Sequence, residues 1–167
     1  MKKHAFEIRW GIIFTVASML WMLLERLVGL HTIYIDEHMV YTNFFAIVAV
    51  AIYVFALRAK RDHQLSGIMN FQEGFICGVK ITVVVAVLSP LTQWVTHTII
   101  TPDYFANAAA LAVQTENMTQ AQAEAYFSLS SYYMQAFIGA VVMGVITSAV
   151  VAFFVKKPPT VEEDTEE

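Results

Sequence analysis

Basic residues divide this chain into a few short clusters separated by long apolar runs. Of its ten Lys and Arg, Lys2, Lys3 and Arg9 precede the first run. Arg58, Lys60 and Arg61 follow the second, and Lys156 and Lys157 follow the last. The stretches from His31 to Asn43 and from Thr101 to Ser131 carry neither residue. Cytoplasmic loops collect Lys and Arg, so this alternation predicts an all-α, four-transmembrane-helix bundle with both termini in the cytoplasm. Composition agrees. Residues are 57% hydrophobic and 14% charged, against about 25% charged in an ordinary soluble domain. Too little polar surface exists to wrap a water-soluble globule. The net charge of −4 comes largely from Glu162, Glu163, Asp164, Glu166 and Glu167, and the remaining body is near neutral.

Crossing a hydrocarbon core takes about 20 apolar residues in a helix. The runs place spans over residues 10–30, 41–57, 75–100 and 132–155, the third beginning near Phe71 or Phe75. The second is short and calls for local thinning or little tilt. The first is not a cleaved signal: Glu25 and Arg26 follow the apolar stretch where a small-residue cleavage site belongs. Pro90 interrupts the third span. It lacks an N–H and crowds the Ala86 carbonyl, which predicts a kink, with Ser89 near enough to satisfy the freed group. Ser66-Gly67 is the most turn-prone pair of the second loop.

Between the third and fourth spans the sequence predicts a helical extracytoplasmic hairpin. Thr101-Pro102 reads as an N-cap followed by a first helical proline. Tyr104 to Gln114 is helical, Thr115 to Met118 breaks it, and Thr119-x-x-Gln122 matches a capping box. No Pro or Gly occurs from Thr119 to Phe137, so the fourth helix is expected to run unbroken from outside the bilayer into it. Tyr126, Phe127, Tyr132 and Tyr133 supply an aromatic belt. After Pro158-Pro159, residues 158–167 form an acidic tail with a disordered composition.

Two ribbons of small residues recur every four positions. One is Gly74, Gly78, Thr82 and Ala86; the other is Ala136, Ala140, Gly144, Ser148 and Ala152. Four-residue spacing keeps each set on one helix face, and small residues allow the close approach that drives helix association in lipid. Both ribbons are expected to face protein, within one chain or between subunits.

Ionisable groups inside a membrane are costly and mark functional sites. Glu25, near the outer end of the first span, and His97, at the outer end of the third, are the candidate polar or ligand site. Lys80 is expected to return its ammonium to the inner headgroups, with Glu7, Arg9 and Glu73 at its level for pairing. An outer group of Glu25, His31, Asp36, Glu37, His38, His97 and Asp103 can be drawn. It lacks tight ligand spacing along the chain, so no metal is expected, and the plain reading is an exposed acidic loop. The lone Cys77 excludes an internal disulfide. No Gly-rich phosphate loop, His-Glu-x-x-His or Gly-x-Ser-x-Gly is present. No catalytic residue is assigned, and neither an enzyme nor a cofactor is expected. The basic clusters serve orientation and anionic lipid, not nucleic acid. The expected partners are the lipid bilayer and either further copies of the chain or another membrane protein.

Several strings carry a resemblance over nearly the whole chain. They are Trp21…Glu25…Gly29-Leu30-His31, Ala56-Leu57-Arg58…Lys60-Arg61, Phe71-Gln72-Glu73-Gly74-Phe75…Gly78, Thr101-Pro102-Asp103-Tyr104-Phe105 and Ala125-Tyr126-Phe127…Tyr132. They resemble the bacterial membrane family called domain of unknown function 4199. The resemblance implies four membrane helices in a bacterial inner membrane and carries over no functional site. The expected function is therefore a small structural, interaction or accessory subunit. The alternative is a transporter or channel component that uses Glu25.

Overall fold

The computed structural model describes residues 4–115 and 117–157. Lys2, Lys3 and the acidic tail of residues 158–167 lie outside the described residues. In chain order the elements are α1 (Ala5–Leu27), α2 (His38–Tyr41), a 3-10 turn (Thr42–Phe44), α3 (Phe45–Gln64) and α4 (Phe71–Val95). A π-helical turn (Thr96–Ile100), α5 (Tyr104–Gln114), α6 (Gln120–Tyr126) and α7 (Leu129–Val155) follow. Four stretches are long and apolar enough to cross a membrane: Ala5–Leu27, His38–Gln64, Phe71–Ile100 and Leu129–Val155.

The helix that carries the second apolar run is longer than the run itself. It is 27 residues long, because Arg58, Lys60 and Arg61 continue the helix instead of ending it. The chain turns only at Ser66 and Gly67, with φ of 54° and 85°. Asn70 then opens α4 with a capping box. Its side chain accepts from the Glu73 amide, and the Glu73 carboxylate accepts from the Asn70 amide, both at 2.9 Å. Along α4 the Ser89 hydroxyl donates to the Ala86 carbonyl at 2.9 Å, the acceptor that Pro90 deprives of its partner.

Two expectations about the connecting segment are corrected. Thr101 does not cap α5. It is buried, its amide donates to the Thr96 carbonyl at 2.7 Å, and the helix starts at Tyr104. The fourth helix is not continuous back to Thr119 either. The Thr119–Gln122 box opens α6, which ends at Tyr126. Ser128 takes an extended conformation, φ −127° and ψ 151°, and its hydroxyl accepts from the Ser131 amide at 3.4 Å to start α7. A serine able to cap a new helix interrupts the old one as well as Pro or Gly does.

α4 lies against α1, α3 and α7. It meets α7 through the small residues: a Cβ on Gly78 would stand 2.6 Å from Ser148 Oγ, and one on Gly74 would stand 3.2 Å from Ala152 Cβ. Gly144 is as close to Thr82. Tyr53 of α3 reaches this seam, its hydroxyl 2.8 Å from Thr82 Oγ1, while Thr82 donates to the Gly78 carbonyl at 3.1 Å. The apolar core of Tyr53, Leu57, Met69, Ile81, Val151 and Val155 gathers toward one end. That end holds the basic residues. Lys60 donates to Glu7 Oε1 at 3.1 Å, Arg61 donates to the Val155 carbonyl at 3.0 Å, and Met69 and Lys157 exchange backbone bonds of 2.9 and 2.8 Å. Glu7 thus pairs with Lys60, not with Lys80, which is exposed.

Candidate functional site

At the far end of the bundle the chain reverses at the close of α1. Gly29 takes φ +87°, a left-handed conformation that glycine adopts without steric cost. Leu30 N–H donates to the Glu25 carbonyl and Gly29 N–H to the Arg26 carbonyl, each at 3.0 Å. This pair of bonds is the Schellman closure of a helix C-terminus. It folds the next residue, His31, back over Glu25.

Glu25 is fully buried. Trp21, one turn earlier on the same face, donates its indole N–H to Oε1 at 2.6 Å. Oε2 faces two imidazoles, His31 Nε2 at 3.2 Å and His38 Nε2 at 3.3 Å. His31 is buried as completely as Glu25, and Asn107 of α5 holds its backbone carbonyl at 3.0 Å. His38 Nδ1 lies 3.4 Å from the Tyr104 hydroxyl, which is also 3.4 Å from that of Tyr132. Burial and the Glu25 carboxylate push the Tyr104 phenol above its usual value, so it stays a neutral donor or acceptor.

His97 belongs to a neighbouring layer and does not touch Glu25. Its Nε2 pairs with Gln93 Oε1 at 3.0 Å, and its ring stacks on Phe105 at 4.1 Å. Tyr104 stands between the two layers, its ring 5.2 Å from that of His31 and 5.3 Å from that of His97. The expectation of an exposed acidic loop is therefore corrected. Asp36, Glu37 and Asp103 are exposed, but Glu25, His31 and His97 are buried. Ligand spacing is absent along the chain yet present in space: donor atoms of Glu25, His31 and His38 all lie within 4.8 Å of one another. The Gly29-Leu30-His31 string held the signal, since a Gly just past a helix end returns the chain onto the last turn.

Beside this cluster a cavity of about 740 Å³ opens between α1, α4 and α7. Its polar lining comes from Ser18, Asn43, Ser89, Thr92, Gln93 and Gln135, and none of its lining residues carries a formal charge. Trp21 and Tyr132 border both the cavity and the Glu25 cluster. Of the ribbon residues, Gly74, Gly78, Thr82, Gly144, Ser148 and Ala152 meet across α4 and α7, and Ala86 is buried. Ala136 and Ala140 instead line the cavity.

A family model described as "Protein of unknown function (DUF4199)" matches residues 9–157. The chain belongs to the DUF4199 family. The match includes every residue of the Glu25 cluster and of the cavity lining. No curated protein and no solved structure matches. DUF4199 membership thus brings no activity with it, and the chemistry has to be read from the cluster and the cavity.

Proposed function

We propose that this DUF4199 protein is a non-enzymatic bacterial inner-membrane protein that admits a small, uncharged polar solute from the outer side. The observation that carries this reading is the cavity of about 740 Å³ inside a set of membrane-length helices, whose lining sets hydroxyl and amide side chains among apolar ones. Lipid offers such groups no hydrogen-bond partner, so at that depth they face protein, water or a polar ligand. The orientation rests on the basic residues. Lys60, Arg61 and Lys157 meet Glu7, Val155 and Met69 at the end of the bundle where α1 starts, which supports termini in the cytoplasm.

Cysteine accessibility tests this. In a Cys77→Ala background, Ser89→Cys and Gln135→Cys should react in intact cells with a membrane-impermeant thiol reagent. Val87→Cys, on an exposed apolar face of α4, should not. Protection of all three removes the reading. A second reading, an accessory subunit or homo-oligomer, draws on Ala136, Gly139 and Ala140. These small residues border the cavity, and a Cβ on Gly139 would have no neighbour within 4 Å. A partner helix seated there would shield Gln135→Cys from the reagent and allow it to cross-link to that partner.

A further inference from the structure

We propose that Glu25, His31 and His38 form a binding site for a divalent transition-metal ion of the zinc class. The inference does not depend on the solute cavity. Ligand bonds of about 2.0–2.1 Å around a tetrahedral ion set neighbouring donor atoms about 3.3–3.4 Å apart. Glu25 Oε2 is 3.2 Å from His31 Nε2 and 3.3 Å from His38 Nε2. Two imidazoles and one carboxylate are the donor set of three-ligand zinc sites, which leave a fourth position for water or substrate.

Hydrogen bonding alone leaves this cluster incomplete. Oε2 has a hydrogen bond with His31, while His38 Nε2 stands 3.3 Å from the same oxygen without hydrogen-bond geometry. A buried nitrogen without a partner is costly, and an ion between the three atoms would use it. The outer partners are those a metal site needs to orient its ligands. The Trp21 indole occupies Oε1 and so leaves Oε2 free. The Tyr104 hydroxyl stands at His38 Nδ1 and so directs Nε2 inward. A cavity of about 530 Å³ is lined by both Glu25 and Glu37, and another of about 580 Å³ by both His38 and Asp36. A carboxylate in each lining favours cations.

The test uses the full-length protein in detergent, stripped with a chelator and titrated with Zn²⁺ at neutral pH. One ion per chain should bind with micromolar affinity or better. His38→Ala and His31→Ala should each weaken binding by at least about 10- to 100-fold, the loss seen when even outer partners are removed. Zn²⁺ should raise the melting temperature of wild type and leave that of His38→Ala unchanged. Co²⁺ in place of Zn²⁺ should give the intense visible absorption of a tetrahedral thiolate-free site. Trp21→Phe keeps all three ligands and should fold and bind, with reduced affinity. Failure of the stripped, folded wild type to bind Zn²⁺ overturns the proposal. Binding of equal strength in His38→Ala and His31→Ala, or the weak spectrum of an octahedral Co²⁺ ion, overturns it as well.

Discussion

The two ends of this bundle handle buried polar groups in opposite ways. At the basic end and along the seam above it, each hydroxyl is absorbed by the helices. Tyr53 meets Thr82, Thr82 meets the Gly78 carbonyl, and Ser148 donates to the Gly144 carbonyl at 2.6 Å. At the far end more of the buried polar atoms stand without a hydrogen bond. Among the described residues, His31 Nδ1, His38 Nε2, Thr96 Oγ1 and His97 Nδ1 are buried without a hydrogen bond, and Glu7 Oε2 is the exception at the basic end. Buried polar atoms are nearly always satisfied. The small-residue seam and its satisfied hydroxyls hold α4 against α7, while the far end carries the buried imidazoles on which the metal proposal rests.

The largest effect that would break this contrast is steric. Gly78→Val places atoms where Ser148 already stands, and overpacking of this kind costs about 1–3 kcal/mol. Denaturation in detergent should place this variant at the top of that range. A smaller loss would mean that α4 and α7 part more easily than their spacing implies. Next comes the comparison of carboxylates. Glu25→Gln keeps the shape but removes the carboxylate that accepts from Trp21 and faces both imidazoles, at about 1–3 kcal/mol for a buried unsatisfied group. Glu7→Gln should cost less than Glu25→Gln, because a Gln oxygen can still accept from Lys60, which also holds Gln64 at 2.8 Å. The reverse ranking in unfolding experiments would erase the distinction between the ends.

Tyr53→Phe should lose about 0.5–1.5 kcal/mol, one hydrogen bond, since Thr82 keeps its bond to Gly78. A change too small to measure would mean that water replaces the phenol even at the closed end. The smallest effect carries the opposite sign. Gly139→Ala adds a methyl where nothing stands within 4 Å. It should gain up to about 1 kcal/mol from helix propensity, measured as a higher melting temperature. The same exchange at Gly11, where a Cβ would stand 2.5 Å from Val84 Cγ1, should destabilise.

Much of the architecture could be read residue by residue. Lengths of apolar sequence located the four membrane-length helices. Ser66-Gly67 marked a turn, and Thr119-x-x-Gln122 a helix start, because caps and turns act over three or four residues. The break at Ser128 contains neither Pro nor Gly, and a hydroxyl cap carries a weaker local signal than either. The apolar run of the second span ends at Leu57, yet the helix continues to Gln64, because hydropathy reports solvent, whereas helix length follows backbone bonding. At the candidate site, Glu25 and His97 stood out as ionisable groups at membrane depth. Their true neighbours did not.

The order of apolar residues along the chain was enough to place four helices long and apolar enough to cross a membrane, since solvent preference is a property of composition within each segment. The joining of Glu25 to His31 and His38, and its separation from His97, came from folding alone. It required a left-handed glycine to reverse the chain, α2 to bring His38 back, and α5 to seat Tyr104 over both imidazoles. Each of these placements depends on distances between elements far apart in sequence, and no local periodicity encodes them.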